Sequence, residues 1–329
     1  MTVLPDSEKK SARLPVDGEQ DYAQSWYPIC ASDELAPGAI KGVDLMGGRV
    51  IAFRPASGGP AQVLSAYCPH LGADLSVGDV VGDTVRCVFH HWQYDTSGKC
   101  VATGCGDPVH PRARLFRFPT VEKFGFVWAF NGEEPLWDIP EFPFPEDELL
   151  SKKTVIATWP CDAWVFYCNT ADIQHIKSLH GISFDREPQP DDIEWTDVNF
   201  LYDFKGKFRD GSAIEFRVGI WGTTYFFQDS YLNGRWYGCM FAGRPIGPNM
   251  SEHVMAVFTR ASDGTPEENE KFLETIYQME SAIALDDDPV LKTIRFRSGL
   301  LTKSDRPLAR YFKLLRSYPR ANPARDHIT

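Results

Sequence analysis

Two short residue pairs carry the most specific chemistry in this chain: Cys68-Pro69-His70 and, sixteen residues further on, Cys87-Val88-Phe89-His90. One thiolate and one imidazole on each of two loops is the donor set of a mixed-ligand [2Fe–2S] centre, where one iron takes both sulfurs and the other both nitrogens. Neutral imidazoles in place of two thiolates leave such a cluster less negative, which raises its reduction potential above that of an all-cysteine ferredoxin. A structural zinc is the plainer use of two Cys and two His. Zinc ligand pairs usually stand two to four residues apart, however, and the one-residue gap of Cys68-x-His70 fits that poorly. Pro69 stiffens the first loop, and Gly72 and Gly82 permit tight turns around it.

A second constellation lies in Asn169–Gly181, where Asp172, His175 and His180 fall within nine residues of a chain that has only 8 His. Asp172 and His175, three apart, share a helix face. His175 and His180 are five apart, roughly 140° round an ideal helix, so both reach one ion only if the helix ends or bulges between them. Gly181 is a natural stop signal. The bland reading is an amphipathic helix with two hydrogen-bonded histidines. Two histidines that bind an O₂-activating iron want a carboxylate to complete a 2-His-1-carboxylate triad with open positions. Asp286-Asp287-Asp288 offers one: three adjacent acids at the negative end of a helix dipole repel one another, and a bound cation would offset that. A solvated acidic turn before Pro289 is the alternative. Periodicity puts Asp286 and Asp287 on the buried side of the helix and does not separate them.

The elements that must position these groups read as two domains, with the length to bury a core in each. Residues 1–20 are charged and poor in apolar side chains, and predict a mobile tail that is neither signal peptide nor anchor. Runs at 49–54, 61–68, 84–94 and 124–130, rich in Val, Phe, Tyr and Trp, predict a small antiparallel β domain over 21–135. Prolines mixed with acids predict a linker over 136–152. In 153–329, runs at 194–205, 213–231, 235–245 and 252–261 predict a larger antiparallel sheet, with Asn233-Gly234 as a type I′ hairpin turn. Thr265, Pro266 and Glu268 form a capping box for a long helix whose Phe272, Ile276, Met279 and Ile283 make one apolar stripe. The fold class is therefore α+β. Trp195, Phe216, Trp221, Tyr225, Phe226, Phe227, Tyr231, Trp236, Tyr237 and Phe241 make either an aromatic core or an apolar substrate pocket, and the sequence reads equally well both ways.

The net charge of −11 argues against nucleic acid or an anionic membrane surface as partner. No apolar run approaches the roughly 20 residues of a spanning helix, and the untargeted N-terminus points to the cytoplasm. There the 8 cysteines imply no disulfide framework. Cys100 and Cys105 have the first gap of a plant-type ferredoxin, but Pro108 ends that motif and they read as ordinary thiols. Gly104-x-Gly106 lacks the third glycine and the strand–helix setting of a dinucleotide fingerprint, so NAD(P)H should act only indirectly, through a separate reductase.

Together these motifs resemble the oxygenase component of Rieske non-haem iron oxygenases, over nearly the whole chain from about residue 25. The resemblance implies that Cys68, His70, Cys87 and His90 hold the [2Fe–2S] cluster, with His91 a loop residue beside it. Asp172-x-x-His175-x-x-x-x-His180 matches the family's iron motif, and Asp287-Asp288-Pro289-Val290-Leu291 matches the pattern of its third ligand. That selects Asp287, with Asp286 as runner-up, and gives Asp172 the role of electron bridge between a cluster histidine and an iron histidine across a subunit interface. Implied as well are a helix-grip catalytic domain, a head-to-tail homotrimer, a mononuclear Fe(II), O₂ as co-substrate, and a reductase with or without a ferredoxin as partner. The expected reaction is hydroxylation of an apolar, aromatic or polycyclic substrate, in the manner of the homotrimeric monooxygenases and steroid hydroxylases. Oxidative demethylation or desaturation with the same metals is the alternative. A Rieske electron carrier without chemistry of its own is the third reading.

Overall fold

The computed structural model describes residues 13–297 and 299–329. In the first part of the chain, short β-branched and aromatic runs close into three small antiparallel sheets. One holds Thr120–Lys123, Phe126–Phe130 and Trp26–Ala31; the next Ile40–Leu45, Gly48–Phe53 and Gln62–Ser65; the last Asp79–Val81, Thr84–Arg86, Gln93–Tyr94 and Cys100–Ala102. Val50, Ile51, Phe53, Val63 and Leu64 are buried between them. This arrangement places the Cys68 loop just after one sheet and the Cys87 loop between two strands of another.

The second part is built on an eight-stranded antiparallel sheet. Its order is Leu149–Trp159, Met250–Arg260, Arg235–Gly247, Tyr225–Leu232, Ala213–Trp221, Asn199–Lys207 and Ser183–Phe184, with Glu194–Trp195 pairing off this path on Asn199–Lys207. Helices α1 (Ala163–Tyr167), α2 (Ile173–Ser178), α3 (Pro266–Asp286) and α4 (Arg306–Ser317) cover it, α3 lying across Leu149–Trp159 and Met250–Arg260. The molecule is α+β, with a helix gripped by a curved sheet, as expected. The start of α3 follows the sequence signal closely: the Glu268 N–H donates to Thr265 Oγ1 at 3.3 Å, and the Thr265 N–H donates to Glu268 Oε2 at 2.8 Å. Each such cap stabilises a helix by about 1 kcal/mol.

Four expectations change. The run 213–231 is two strands, because Gly222, at φ +66°, turns the chain before Thr223 and Thr224. Asn233 and Gly234 both have positive φ and close the next hairpin, with Leu232 opposite Arg235. The proline-rich stretch 136–152 is no free linker. Trp137, Ile139 and Phe142 stand between its prolines and are buried against Trp26, Tyr225 and Trp236, and a strand begins at Leu149. Of the expected tail, residues 1–12 lie outside the described residues, whereas Pro15 and Asp17 are buried. Lastly, the C-terminal stretch of the expected second domain returns to the first: Arg320–Ala321 pairs with Tyr22–Ala23, and Ala324 and Ile328 join the core of Tyr27, Val50 and Val63. No helix among the described residues is long and apolar enough to cross a membrane.

One ionic clamp ties these ends together. Arg320 Nη2 lies 2.5 Å from Asp17 Oδ1, and the Asp17 N–H donates to Asp162 Oδ2 at 3.3 Å, at the start of α1. Burial raises the Asp17 carboxyl, and Arg320 acts against that shift. Removing one partner of a buried pair leaves the other charge uncompensated. Arg320→Ala should therefore lower the unfolding free energy by about 3–5 kcal/mol, read from urea melts; a loss near zero would show that the clamp carries no stability.

Candidate metal centres and active-site cavity

The two Cys–His loops are near copies in backbone. The Gly72 N–H returns to the Cys68 carbonyl at 2.8 Å, and the His91 N–H returns to the Cys87 carbonyl at 2.9 Å. Each turn folds its histidine back over its cysteine. Cys68 and Cys87 are buried free thiols, and the rings of His70 and His90 stand 4.6 Å apart, centroid to centroid. Buried His70 Nδ1 has no hydrogen-bond partner, as a nitrogen reserved for a metal would not. The four residues thus fit a [2Fe–2S] cluster in donor type and placement. His91 is exposed, at φ +55°, and serves the turn. Sequence reading missed two neighbours: Trp92 stacks on His70 at 4.5 Å, and Tyr94 Oη lies 3.0 Å from Cys68 Sγ. A hydroxyl donating to a cluster sulfur is one of the levers that raise a cluster's potential. Their signal was position alone, two and four residues beyond His90.

The second constellation depends on a short helix that stops in time. Asp172 caps α2, its Oδ1 accepting the His175 N–H at 3.0 Å. The helix ends at Ser178 and the chain reverses at Gly181, φ +66°, where a Cβ would stand 1.9 Å from Arg209 Nε. That reversal brings His180 Nε2 to 2.9 Å from His175 Nε2. Asp287 Oδ1 arrives from the far end of α3, 3.2 Å from His175 Nε2, and ligand atoms of all three residues lie within 4.8 Å of one another. Two donors each about 2.1 Å from one ion and at right angles to it lie about 3 Å apart. The separations of His175 from His180 and from Asp287, 2.9 and 3.2 Å, are those of donors sharing one ion. Burial makes the His180 imidazole harder to protonate, against the pull of Asp287, which favours the neutral form a metal requires.

The three adjacent acids have three fates. Asp287 is 3% exposed and its Oδ1 has no hydrogen-bond partner. Asp286 is half exposed, with Oδ2 3.6 Å from His180 Nδ1, on the side of the ring away from Asp287. Asp288 turns elsewhere: Trp159 Nε1 donates to its Oδ1 at 3.0 Å, and Lys292 Nζ lies 2.7 Å from its Oδ2. Periodicity left Asp286 and Asp287 open; burial and direction separate them.

An apolar cavity opens on these three residues. Alternation along the strands decides the two readings of the aromatic residues. Phe226 and Phe241, cross-strand partners, line the cavity together with Phe216 and Val218. Tyr225 and Phe227 point to the opposite face and pack with Trp26, Trp128 and Phe142. The aromatics therefore divide, some lining the cavity on one face of the sheet and others packed in a core on the opposite face. From α3 come Glu280, Ile283, Ala284 and Asp287, spaced i, i+3, i+4, i+7. Glu280 is 3% exposed and escaped sequence reading, although it follows Ile276 by one turn and precedes Asp287 by two. Asp287→Ala should abolish mononuclear iron binding and leave the visible spectrum of a [2Fe–2S] cluster intact, by metal analysis and absorbance. Iron retained in that variant, and lost in Asp286→Ala, would move the third ligand to Asp286.

Comparison with known proteins agrees with this layout. A family model described as the Rieske [2Fe-2S] domain matches residues 25–119. Aminopyrrolnitrin oxygenase PrnD of Pseudomonas fluorescens is 36% identical over 261 residues, covering 75% of this chain and 66% of the relative. Cholesterol 7-desaturase nvd 1 of Ciona intestinalis is 39% identical over 124 residues, covering 36% of this chain. The chain spans 26–39% of the length of four cholesterol 7-desaturases that it matches. In fold it is similar to Pseudomonas putida CBB5 NdmA with caffeine, at TM-score 0.69 and 20% identity over 88% of this chain and 89% of that one. A cluster domain matched on its motif and relatives named as oxygenases lead to one conclusion: this chain belongs to the Rieske oxygenase components.

Proposed function

We propose that the chain is a terminal oxygenase that hydroxylates an apolar ring compound, using O₂ and electrons from a separate reductase or ferredoxin. One observation supports this most: the apolar cavity opens on the convergent His175, His180 and Asp287 in a chain that also carries the Cys68–His90 loops. A cluster on Cys68, His70, Cys87 and His90 would relay single electrons, and ferrous iron on His175, His180 and Asp287 would activate O₂ for attack on a C–H bond. The protein's own groups do the rest. Phe216, Phe226 and Phe241 hold the ring and exclude water, and the Asp288–Trp159 bond steadies the turn that carries Asp287. Asp172 fixes the start of α2 through Oδ1, and no described residue bonds its Oδ2.

That free oxygen supports Asp172 as an electron bridge to a neighbouring subunit. The surface beside the cluster loops supports a head-to-tail homotrimer: Leu71, Val88 and Phe89 are 66%, 55% and 60% exposed around exposed His90. Contiguous apolar residues of this kind mark a protein contact. We place the enzyme in the cytoplasm, where the eight free cysteines would stay reduced. Desaturation or demethylation at the same metals is the second reading, favoured by relatives named cholesterol 7-desaturase and 5,5'-dehydrodivanillate O-demethylase oxygenase subunit.

Fully loaded protein should contain about three irons per chain, two in the cluster and one mononuclear. Two irons, with none released by Asp287→Ala, would leave only an electron carrier. Asp172→Asn should keep all the iron yet slow oxidation of the reduced cluster by O₂ and substrate at least tenfold, in stopped-flow absorbance. An unchanged rate would remove the bridge.

A further inference from the structure

The cavity's lining is mostly apolar, and besides Asn169, Thr170, two tyrosines and the three ligands its polar groups are Glu280 and Gln228. Glu280 lines the cavity from α3, and Gln228, an amide, lines it from the strand Tyr225–Leu232. Gln228 Nε2 donates to Glu280 Oε1 at 2.7 Å, and the Tyr237 hydroxyl donates to the same oxygen at 2.8 Å. Both bonds fall on Oε1, and no described residue bonds Oε2. Burial pushes the carboxyl up to about 7, against the pull of Tyr237 and Gln228. A buried acid in an apolar wall costs stability unless its oxygens find donors. Here two donors are committed to one oxygen, and among the described residues no donor reaches the other.

The helix sets a ruler. Glu280 and Asp287 are seven residues apart, two turns and about 10 Å along α3, and a heptad drifts only about 20° round the axis. They therefore share a face. Between them Ile283 and the small, buried Ala284 line the cavity.

We infer that Glu280 is the specificity-determining residue of this cavity, accepting a hydrogen bond from an N–H or O–H group on a ring substrate whose attacked position lies about two helical turns away. Building on the oxygenase reading, this narrows the substrate from any apolar ring compound to one with an amine or hydroxyl at the end remote from the metal. Gln228 and Tyr237 are positioning residues: they fix Oε1 and leave Oε2 to the ligand.

Three probes test it, biphenyl, 4-aminobiphenyl and 4-hydroxybiphenyl, with binding to the iron-loaded protein read by tryptophan fluorescence or calorimetry. The wild-type protein should bind the amino and hydroxyl compounds at least tenfold more tightly than biphenyl. Glu280→Gln keeps an oxygen for Gln228 and Tyr237 but turns an amide NH₂ toward the cavity. It should bring that preference, the ratio of amino or hydroxyl compound to biphenyl, to within twofold. Glu280→Met, which removes the polar group altogether, should do the same and covers the case in which the glutamine variant folds poorly. A wild-type protein that binds the three alike, or binds none, overturns the assignment, as does a variant that keeps the preference. Oxygenation of ring compounds with the preference unaltered in both variants would refute the role of Glu280 and leave the oxygenase reading standing. Preference without any oxygenated product would do the reverse.

Discussion

A carboxylate held out of water at the wrong end of a helix is the constraint on which the rest of the structure turns. Asp287 sits where α3 ends, against the negative pole of its dipole, with a second acid on either side and 3% exposure. Like charge at a helix C-terminus costs up to about 1 kcal/mol, and a buried unpaired carboxylate costs several more. The side chains it meets are the imidazoles of His175 and His180, and something must offset the crowded negative charge. A divalent cation does, and the spacing of the three donors suits one.

The fold can be understood as the means of bringing these donors together from positions more than a hundred residues apart. α2 must be short, so that His180 swings back over His175, and Gly181 provides the turn. α3 must be long and firmly placed, so that its last turn reaches them. The capping box at Thr265 fixes its start, the buried Ile276 and Ala284 fix its roll, and Trp159 holds the neighbouring Asp288 aside. The cluster loops need much less. Each is a tight turn between short strands, and it stays near the surface where an electron can enter.

Much of this was legible in the residues, and unevenly so. The Cys–x–His and Cys–x–x–His pairs, the Asp172–His180 motif and the cap of α3 are local patterns, each written in a few consecutive positions. Asp287 over Asp286 was not local, because both lie on the inward side of the helix and only the direction of approach to His175 tells them apart. Glu280 went unread for a related reason: an acid inside an apolar stripe looks like a break in the pattern until the sheet opposite is known to supply Gln228 and Tyr237. The stretch 136–152 misled because prolines signal an irregular backbone but not an exposed one. Trp137 and Phe142 between them had a core to enter. The return of the C-terminus to the first sheets rests on Arg320 and Asp17, a pair separated by nearly the whole chain, and no local signal could announce it.

The most direct measurement is anomalous diffraction at the iron absorption edge from crystals of the fully loaded protein. Two separate iron positions per chain should be found, one between the Cys68 and Cys87 loops and one bounded by His175, His180 and Asp287 at the mouth of the apolar cavity. A single position at the loops, with density for the other three side chains collapsed on one another or bridged by water, would contradict the assignment of a reaction centre to this chain.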